Sequence, residues 1–125
     1  MSVRVLIVED TDHVRTMLGH VLDLHGFQVV AAVASGAEAI ERAAEIAPDV
    51  IVVDYKMPGM NGLETAEQLR GAHPDVPVIL YSAYVSDDLA DRAERAGIAA
   101  CVPKTAGVEA LGREIAALAM GTEQA

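Results

Sequence analysis

The chain has 125 residues, a formal charge of −10, and a composition that is 52% hydrophobic and 22% charged. That length suits one domain able to bury roughly two thirds of its unfolded surface, and the apolar content excludes a disordered tail. Lysine occurs only at Lys56 and Lys104 and the arginines are scattered, so no basic stripe serves nucleic acid, while the single cysteine, Cys101, excludes an intrachain disulfide and a cysteine-based zinc site.

The first apolar run, Val3–Val8, reads as a strand. Val14, Met17, Leu18, Val21 and Leu22 then fall on one face of a helix that Gly26 stops. Phe27–Val33 is a second strand. Ser35 with Glu38 reads as a capping box opening a second helix, with Pro48 just beyond its end. Val50–Val53 is a third strand, and Leu63, Ala66 and Leu69 mark a helix closing near Gly71 and Pro74. Val76–Leu80 is a fourth strand. Ser86-Asp87-Asp88 opens a helix carried by Leu89, Ala90, Ala93 and Ala96. Ile98–Val102 is a fifth strand. Thr105 is expected to cap a last helix through Val108, Leu111, Ile115 and Leu118, weakened by Gly107 and Gly112. The domain is expected over residues 1–120, with 121–125 a frayed tail. No apolar run is long enough for a bilayer and the N-terminus lacks the form of a secretory signal, so a cytoplasmic protein without membrane attachment is expected.

Strands alternating with helices predict an α/β fold, a (βα)5 parallel sheet covered on both faces. In such sheets ligands bind beyond the carboxyl ends of the strands. There the sequence places Glu9-Asp10, Asp54, Tyr81-Ser82 and Lys104. Three carboxylates this close repel one another unless a cation intervenes, and oxygen-only ligands favour a hard divalent ion. A lysine and a hydroxyl opposite it suit the oxygens of a phosphoryl group. An aspartate in that ring can be the nucleophile.

Leu6-Ile7-Val8-Glu9-Asp10, Val52 through Gly62, Leu80-Tyr81-Ser82-Ala83 and Val102-Pro103-Lys104 together resemble the receiver domain of bacterial two-component response regulators, of the chemotaxis-regulator kind. The resemblance covers Val3 to about Met120. It implies a flavodoxin-like doubly wound sheet with strand order 2-1-3-4-5. It also implies that Asp54 accepts a phosphoryl group from a sensor histidine kinase or phosphotransfer protein. Glu9, Asp10, Asp54 and the Lys56 backbone carbonyl match the ligands of Mg²⁺ or Mn²⁺. Ser82 and Lys104 match the residues that bind the transferred group. Met57-Pro58 and Gly62 match the loop after the acceptor. Such a domain is not an enzyme on an external substrate, because it catalyses only its own phosphorylation and dephosphorylation. The resemblance also implies a conformational switch that controls a partner or output domain, transcriptional regulators included, and a homodimer face on helix four, strand five and helix five.

Two departures from the pattern stand out. Cys101 occupies the position three before the lysine where the family usually has an aromatic that reports the switch, so readout is expected to pass through Tyr81 or Tyr84 instead. Pro103 precedes Lys104, whereas many receivers carry the proline after it, where this chain has Thr105. Cys101 itself reads as a small buried hydrophobe rather than a redox thiol. His13 reads as a solvated helix residue, and the charges of helix four as a solvated face or a paired interface.

Three other functions compete. Asp10-Thr11-Asp12 after a strand also resembles the first motif of haloacid-dehalogenase-type phosphatases, with Asp10 as nucleophile and Asp12 as acid/base. A flavin or nucleotide carrier would need a glycine and hydroxyl loop where Glu9-Asp10-Thr11-Asp12 stands. A receiver-like interaction module that is never phosphorylated is the third. The chain is expected to be either a stand-alone receiver or the N-terminal part of a longer regulator.

Overall fold

The computed structural model describes residues 2–124, with side chains described for residues 2–120. Its strands are β1 (Arg4–Val8), β2 (Gln28–Val33), β3 (Val50–Val53), β4 (Val78–Ser82) and β5 (Ala100–Pro103). They alternate with helices α1 (Asp12–Leu24), α2 (Gly36–Ile46), α3 (Gly62–Ala72), α4 (Asp87–Arg95) and α5 (Gly107–Gln124). All pairings are parallel and the order is β2-β1-β3-β4-β5, the flavodoxin-like arrangement expected.

Strand side chains alternate between two apolar layers, as the two-residue period requires. Val5, Ile7, Val50, Val52, Ile79 and Tyr81 pack against Leu18 and Leu22 of α1 and Leu111 and Ile115 of α5. Leu6, Val8, Ile51, Val53, Val78 and Leu80 pack against Ala39 and Ala43 of α2, Leu63, Ala66 and Leu69 of α3, and Leu89 and Ala93 of α4. The central strands are therefore covered on both sides, which is why they read as unbroken Val/Ile runs. The alanines of α2 and α4 let these helices lie close to the sheet.

Several boundaries differ from the sequence reading, each for a local reason. β4 begins at Val78 rather than Val76, because the Val76 amide closes a turn on the His73 carbonyl at 3.1 Å and Pro77 has no amide to offer the ladder. β5 begins at Ala100. The Ile98 amide instead bonds the Ala93 carbonyl at 2.9 Å behind Gly97, whose φ of +82° ends α4. Thr105 does not cap the last helix. It lies inside a 3-10 turn, Lys104–Ala106, and Gly107, at φ +88°, redirects the chain into α5. Helical backbone continues to Gln124, past the expected start of the tail at 121, and residue 125 lies outside the described residues. Met17 was placed on the buried face of α1 but is 52% exposed, since that helix buries only the narrower Leu18–Leu22 stripe.

The starts of α2, α3 and α4 are set by side-chain caps. Ser35 accepts the Glu38 amide at 3.2 Å and Ser86 accepts the Leu89 amide at 3.0 Å. The reciprocal capping box forms at α3, where Asn61 accepts the Glu64 amide at 2.9 Å and Glu64 accepts the Asn61 amide at 3.0 Å. The Asn61-x-x-Glu64 spacing is the sequence signature of this cap.

Candidate functional site

The register of the sheet brings the acidic residues together. Val8 pairs with Val53 across β1 and β3, so the residues following each strand emerge side by side. The Asp54 amide bonds the Val8 carbonyl at 3.0 Å, and the Glu9 amide bonds the Val33 carbonyl at 3.0 Å. Ser82 pairs with Pro103 across β4 and β5, which brings Lys104 in from the other side. The strand order reverses at β1, and the site lies at that reversal.

Lys104 Nζ donates to Glu9 Oε1 at 2.7 Å and stands 3.6 Å from Asp54 Oδ1. The Glu9 side chain is 3% exposed, and its other oxygen accepts the Thr11 amide at 3.3 Å. Burial alone would raise the Glu9 pKa, but the Lys104 and Thr11 hydrogen bonds outweigh it and hold the group below its ordinary value. Burial would likewise lower Lys104, yet the Glu9 bond and the Asp54 charge push it up. Asp54 is pushed up to about 6, first by burial and then by the negative charge of Glu9, with Lys104 offsetting part of this.

One carboxylate oxygen from each of Glu9, Asp10 and Asp54 lies within 4.8 Å of the others. Three acids against one lysine leave negative charge uncompensated, and the donors are all oxygen. Such a set fits a hard divalent cation such as Mg²⁺ or Mn²⁺. Lys56, two residues after Asp54, has an exposed side chain.

The loop after Asp54 is held at both ends. Met57 is buried in the layer facing α2, α3 and α4, and Gly59 turns the chain at φ +74°. The Gly62 amide bonds the Tyr55 carbonyl at 2.8 Å. A Cβ on Gly62 would collide with the Asp54 carbonyl and come within 2.8 Å of Tyr55 Cα. Glycine is required there because the first turn of α3 rests on the backbone of the acidic loop.

Ser82 is buried, and its hydroxyl donates to the Tyr84 carbonyl at 3.3 Å. Tyr84 is 76% exposed at the rim. Tyr81 is buried with Lys104 Nζ 5.9 Å from its ring centre, and burial raises its pKa. Cys101 is half-buried against the layer that includes Leu89 and Ala93, and burial pushes its thiol up, which fits a packing role. His13 is exposed on α1, outside the acidic cluster.

A cavity of about 260 Å³ opens over the site, with Asp54, Ser82 and Lys104 in its wall. Arg92 of α4 also lines it, with Nη1 3.5 Å from the Tyr55 hydroxyl and 3.9 Å from Asp88. In the sequence Arg92 reads with the other α4 charges as part of a solvated face or a paired interface, because nothing in helical periodicity links it to Tyr55. Asp12, the acid/base of the phosphatase reading, is 89% exposed and paired with Arg15 at 2.6 Å. No helix among the described residues is long and apolar enough to cross a membrane.

Residues 5–116 match the family model described as the response regulator receiver domain. The chain is 41% identical over 107 residues to response regulator GacA of Pseudomonas viridiflava, covering 85% of this chain and 50% of that protein. It is 33% identical over 97 residues to chemotaxis protein CheY of Thermotoga maritima, covering 78% of this chain and 81% of that one. The structure of the signal receiver domain of the response regulator NarL from Mycobacterium tuberculosis superposes with a TM-score of 0.89 at 29% identity, over 96% of this chain and 98% of that one. The chain spans about half the length of the GacA relatives it matches.

Proposed function

Because the chain belongs to the response regulator receiver family, we propose that it is a phosphorylation-controlled signalling switch with Asp54 as its phosphoryl acceptor. The observation that carries this reading is the placement of Asp54 between Lys104, 3.6 Å away, and the Glu9 and Asp10 carboxylates. The donor is a phosphohistidine on a sensor histidine kinase or phosphotransfer protein. An Asp54 carboxylate oxygen attacks phosphorus, the phosphorus–nitrogen bond breaks, and the imidazole leaves with the electron pair. Ionised Asp54 is the attacking form.

Glu9, Asp10, Asp54 and the Lys56 carbonyl are the residues that would hold Mg²⁺ or Mn²⁺, which when bound supplies positive charge to the phosphoryl oxygens. Lys104 is already oriented between buried Glu9 and partly buried Asp54, so it reaches the new charge with little rearrangement. The Ser82 hydroxyl turns from the Tyr84 carbonyl to a phosphoryl oxygen, which releases the loop between β4 and α4. Tyr84, already exposed, carries that change to a partner on the face formed by α4, β5 and α5, with Cys101 too small to act as an aromatic reporter. A second copy of the chain is one occupant of that face. The domain acts on no external substrate.

Intact-protein mass after incubation with acetyl phosphate and Mg²⁺ tests the reading. One added phosphoryl group, dependent on Mg²⁺ and missing in Asp54→Asn, is the expected result. An adduct that persists in Asp54→Asn overturns it.

A further inference from the structure

Arg92 has no part in the reading above, yet it is the cation that α4 contributes to the acceptor cavity. Its guanidinium is aimed by the Tyr55 hydroxyl at 3.5 Å and only loosely held by Asp88 at 3.9 Å. Asp88 is 78% exposed, so solvent screens that pair and the guanidinium keeps most of its donors free. Lys104 is committed to Glu9 and Asp54 at the strand ends. Arg92 comes from a different wall, outside the acidic cluster. The cavity, about 260 Å³, has room for a donor larger than the phosphoryl group itself.

A donor in this cavity has two ends. The phosphoryl end meets Asp54, Ser82 and Lys104. The departing end must then face the remaining wall, where Arg92 stands with Tyr55, beside the exposed Asp88 carboxylate and with Lys56, whose side chain is exposed, at the rim. A planar fork of N–H donors is matched to a carboxylate, which it can hold through two charge-assisted bonds. We propose that Arg92 is a specificity-determining residue that binds the departing carboxylate of acyl phosphate donors and so favours them over donors that release a neutral nitrogen base. In acetyl phosphate, the Asp54 oxygen–phosphorus bond forms as the phosphorus–oxygen bond to the acyl group breaks, and acetate leaves with the electron pair and a full negative charge. In phosphoramidate, the phosphorus–nitrogen bond breaks and neutral ammonia leaves, so the guanidinium gains nothing as the bond breaks.

This proposal rests on Asp54 being the acceptor, and the experiment separates the two. Initial rates of phosphorylation are measured by intact-protein mass with acetyl phosphate and with phosphoramidate, both with Mg²⁺, for wild type, Arg92→Gln and Arg92→Lys. The Arg92 side chain is 45% exposed and outside both apolar layers, so the variants are expected to fold. Loss of a charge-assisted bond to the leaving group predicts a fall of about tenfold or more with acetyl phosphate for Arg92→Gln. The phosphoramidate rate stays level or rises, and Arg92→Lys recovers part of the acetyl phosphate rate. Equal loss with both donors overturns the proposal, because it marks Arg92 as a support for the site as a whole. No change with either donor overturns it too. A wild-type chain that takes no phosphoryl group from either donor overturns the acceptor reading and this inference with it.

Discussion

Lys104 donates to Glu9 at 2.7 Å and forms a looser ion pair with Asp54 at 3.6 Å. The lysine thus neutralises the more deeply buried of its two acidic neighbours and leaves the exposed edge of Asp54 open. Lys104→Met strands the Glu9 carboxylate, whose side chain is 3% exposed, without a cation. A cost of about 2–4 kcal/mol is expected at pH 7, toward the low end for a buried pair because the lysine is partly solvated. The Glu9 pKa is lowered by folding, so its contribution is present above the usual glutamate value of 4.5 and is lost as pH falls through the depressed folded value. Urea titrations of wild type and Lys104→Met should therefore diverge at pH 7 and converge in strong acid.

Asp54 has the opposite sign. Folding raises its pKa from 3.8 to about 6, so the folded chain holds this proton more tightly than the unfolded one. Stability falls as pH rises across that window, by up to about 3 kcal/mol from this group. Without metal, Asp54→Asn should be more stable than wild type at pH 7 by about 1–3 kcal/mol, and no more stable at pH 3.5. The side chain proposed as phosphoryl acceptor is one that the fold accommodates at a cost. Denaturant midpoints at the two pH values in EDTA check this.

The strand ends were legible because their chemistry departs from their surroundings. Glu9-Asp10 and Asp54 follow the apolar runs of β1 and β3 directly and Lys104 follows Pro103 at the end of β5, and parallel strands in register must present such residues at one edge. Core layers were legible for the same reason. Ile98 misled because an apolar residue after Gly97 serves equally as a strand start or as the contact closing a helix, and only the Ala93 bond decides between them. Thr105 misled because the 3-10 turn intervenes where a cap was expected. The Tyr55–Arg92 approach joins residues 37 apart through the packing of α4 over the loop, and no local pattern encodes it.

Metal binding should be read through stability as well as chemistry. A divalent ion among Glu9, Asp10 and Asp54 relieves the repulsion that raises Asp54, so Mg²⁺ should raise the wild-type melting temperature, with the stabilisation growing as the logarithm of its concentration above the dissociation constant. Asp10→Asn removes a ligand and should weaken Mg²⁺ by more than the roughly 10–100-fold typical of losing an outer partner. With saturating Mg²⁺ the stability advantage of Asp54→Asn at pH 7 should shrink or reverse. Calorimetric titration of Mg²⁺ reads the affinities, and thermal melts with and without Mg²⁺ read the stabilities of the three chains, and unchanged Mg²⁺ affinity in Asp10→Asn would contradict the assigned ligand set.

Gly62 and Gly71 lie in the same helix, α3, and alanine should act on them with opposite signs. At Gly62 the added methyl meets backbone, namely the Asp54 carbonyl and Tyr55 Cα at 2.8 Å, and neither atom can rotate away. The acidic loop has to shift, at about 1–3 kcal/mol of overpacking strain. At Gly71 nothing lies within 4 Å of the same methyl, and no positive φ opposes it. There alanine restricts the unfolded chain and should stabilise by about 0.4–1 kcal/mol. Urea denaturation reads these two shifts, and phosphorylation by acetyl phosphate reads their functional side. Gly62→Ala should slow the reaction because it displaces the backbone that aims Asp54, while Gly71→Ala should leave the rate unchanged. A Gly62→Ala chain with wild-type stability and rate would mean that the α3 terminus does not position the acceptor loop.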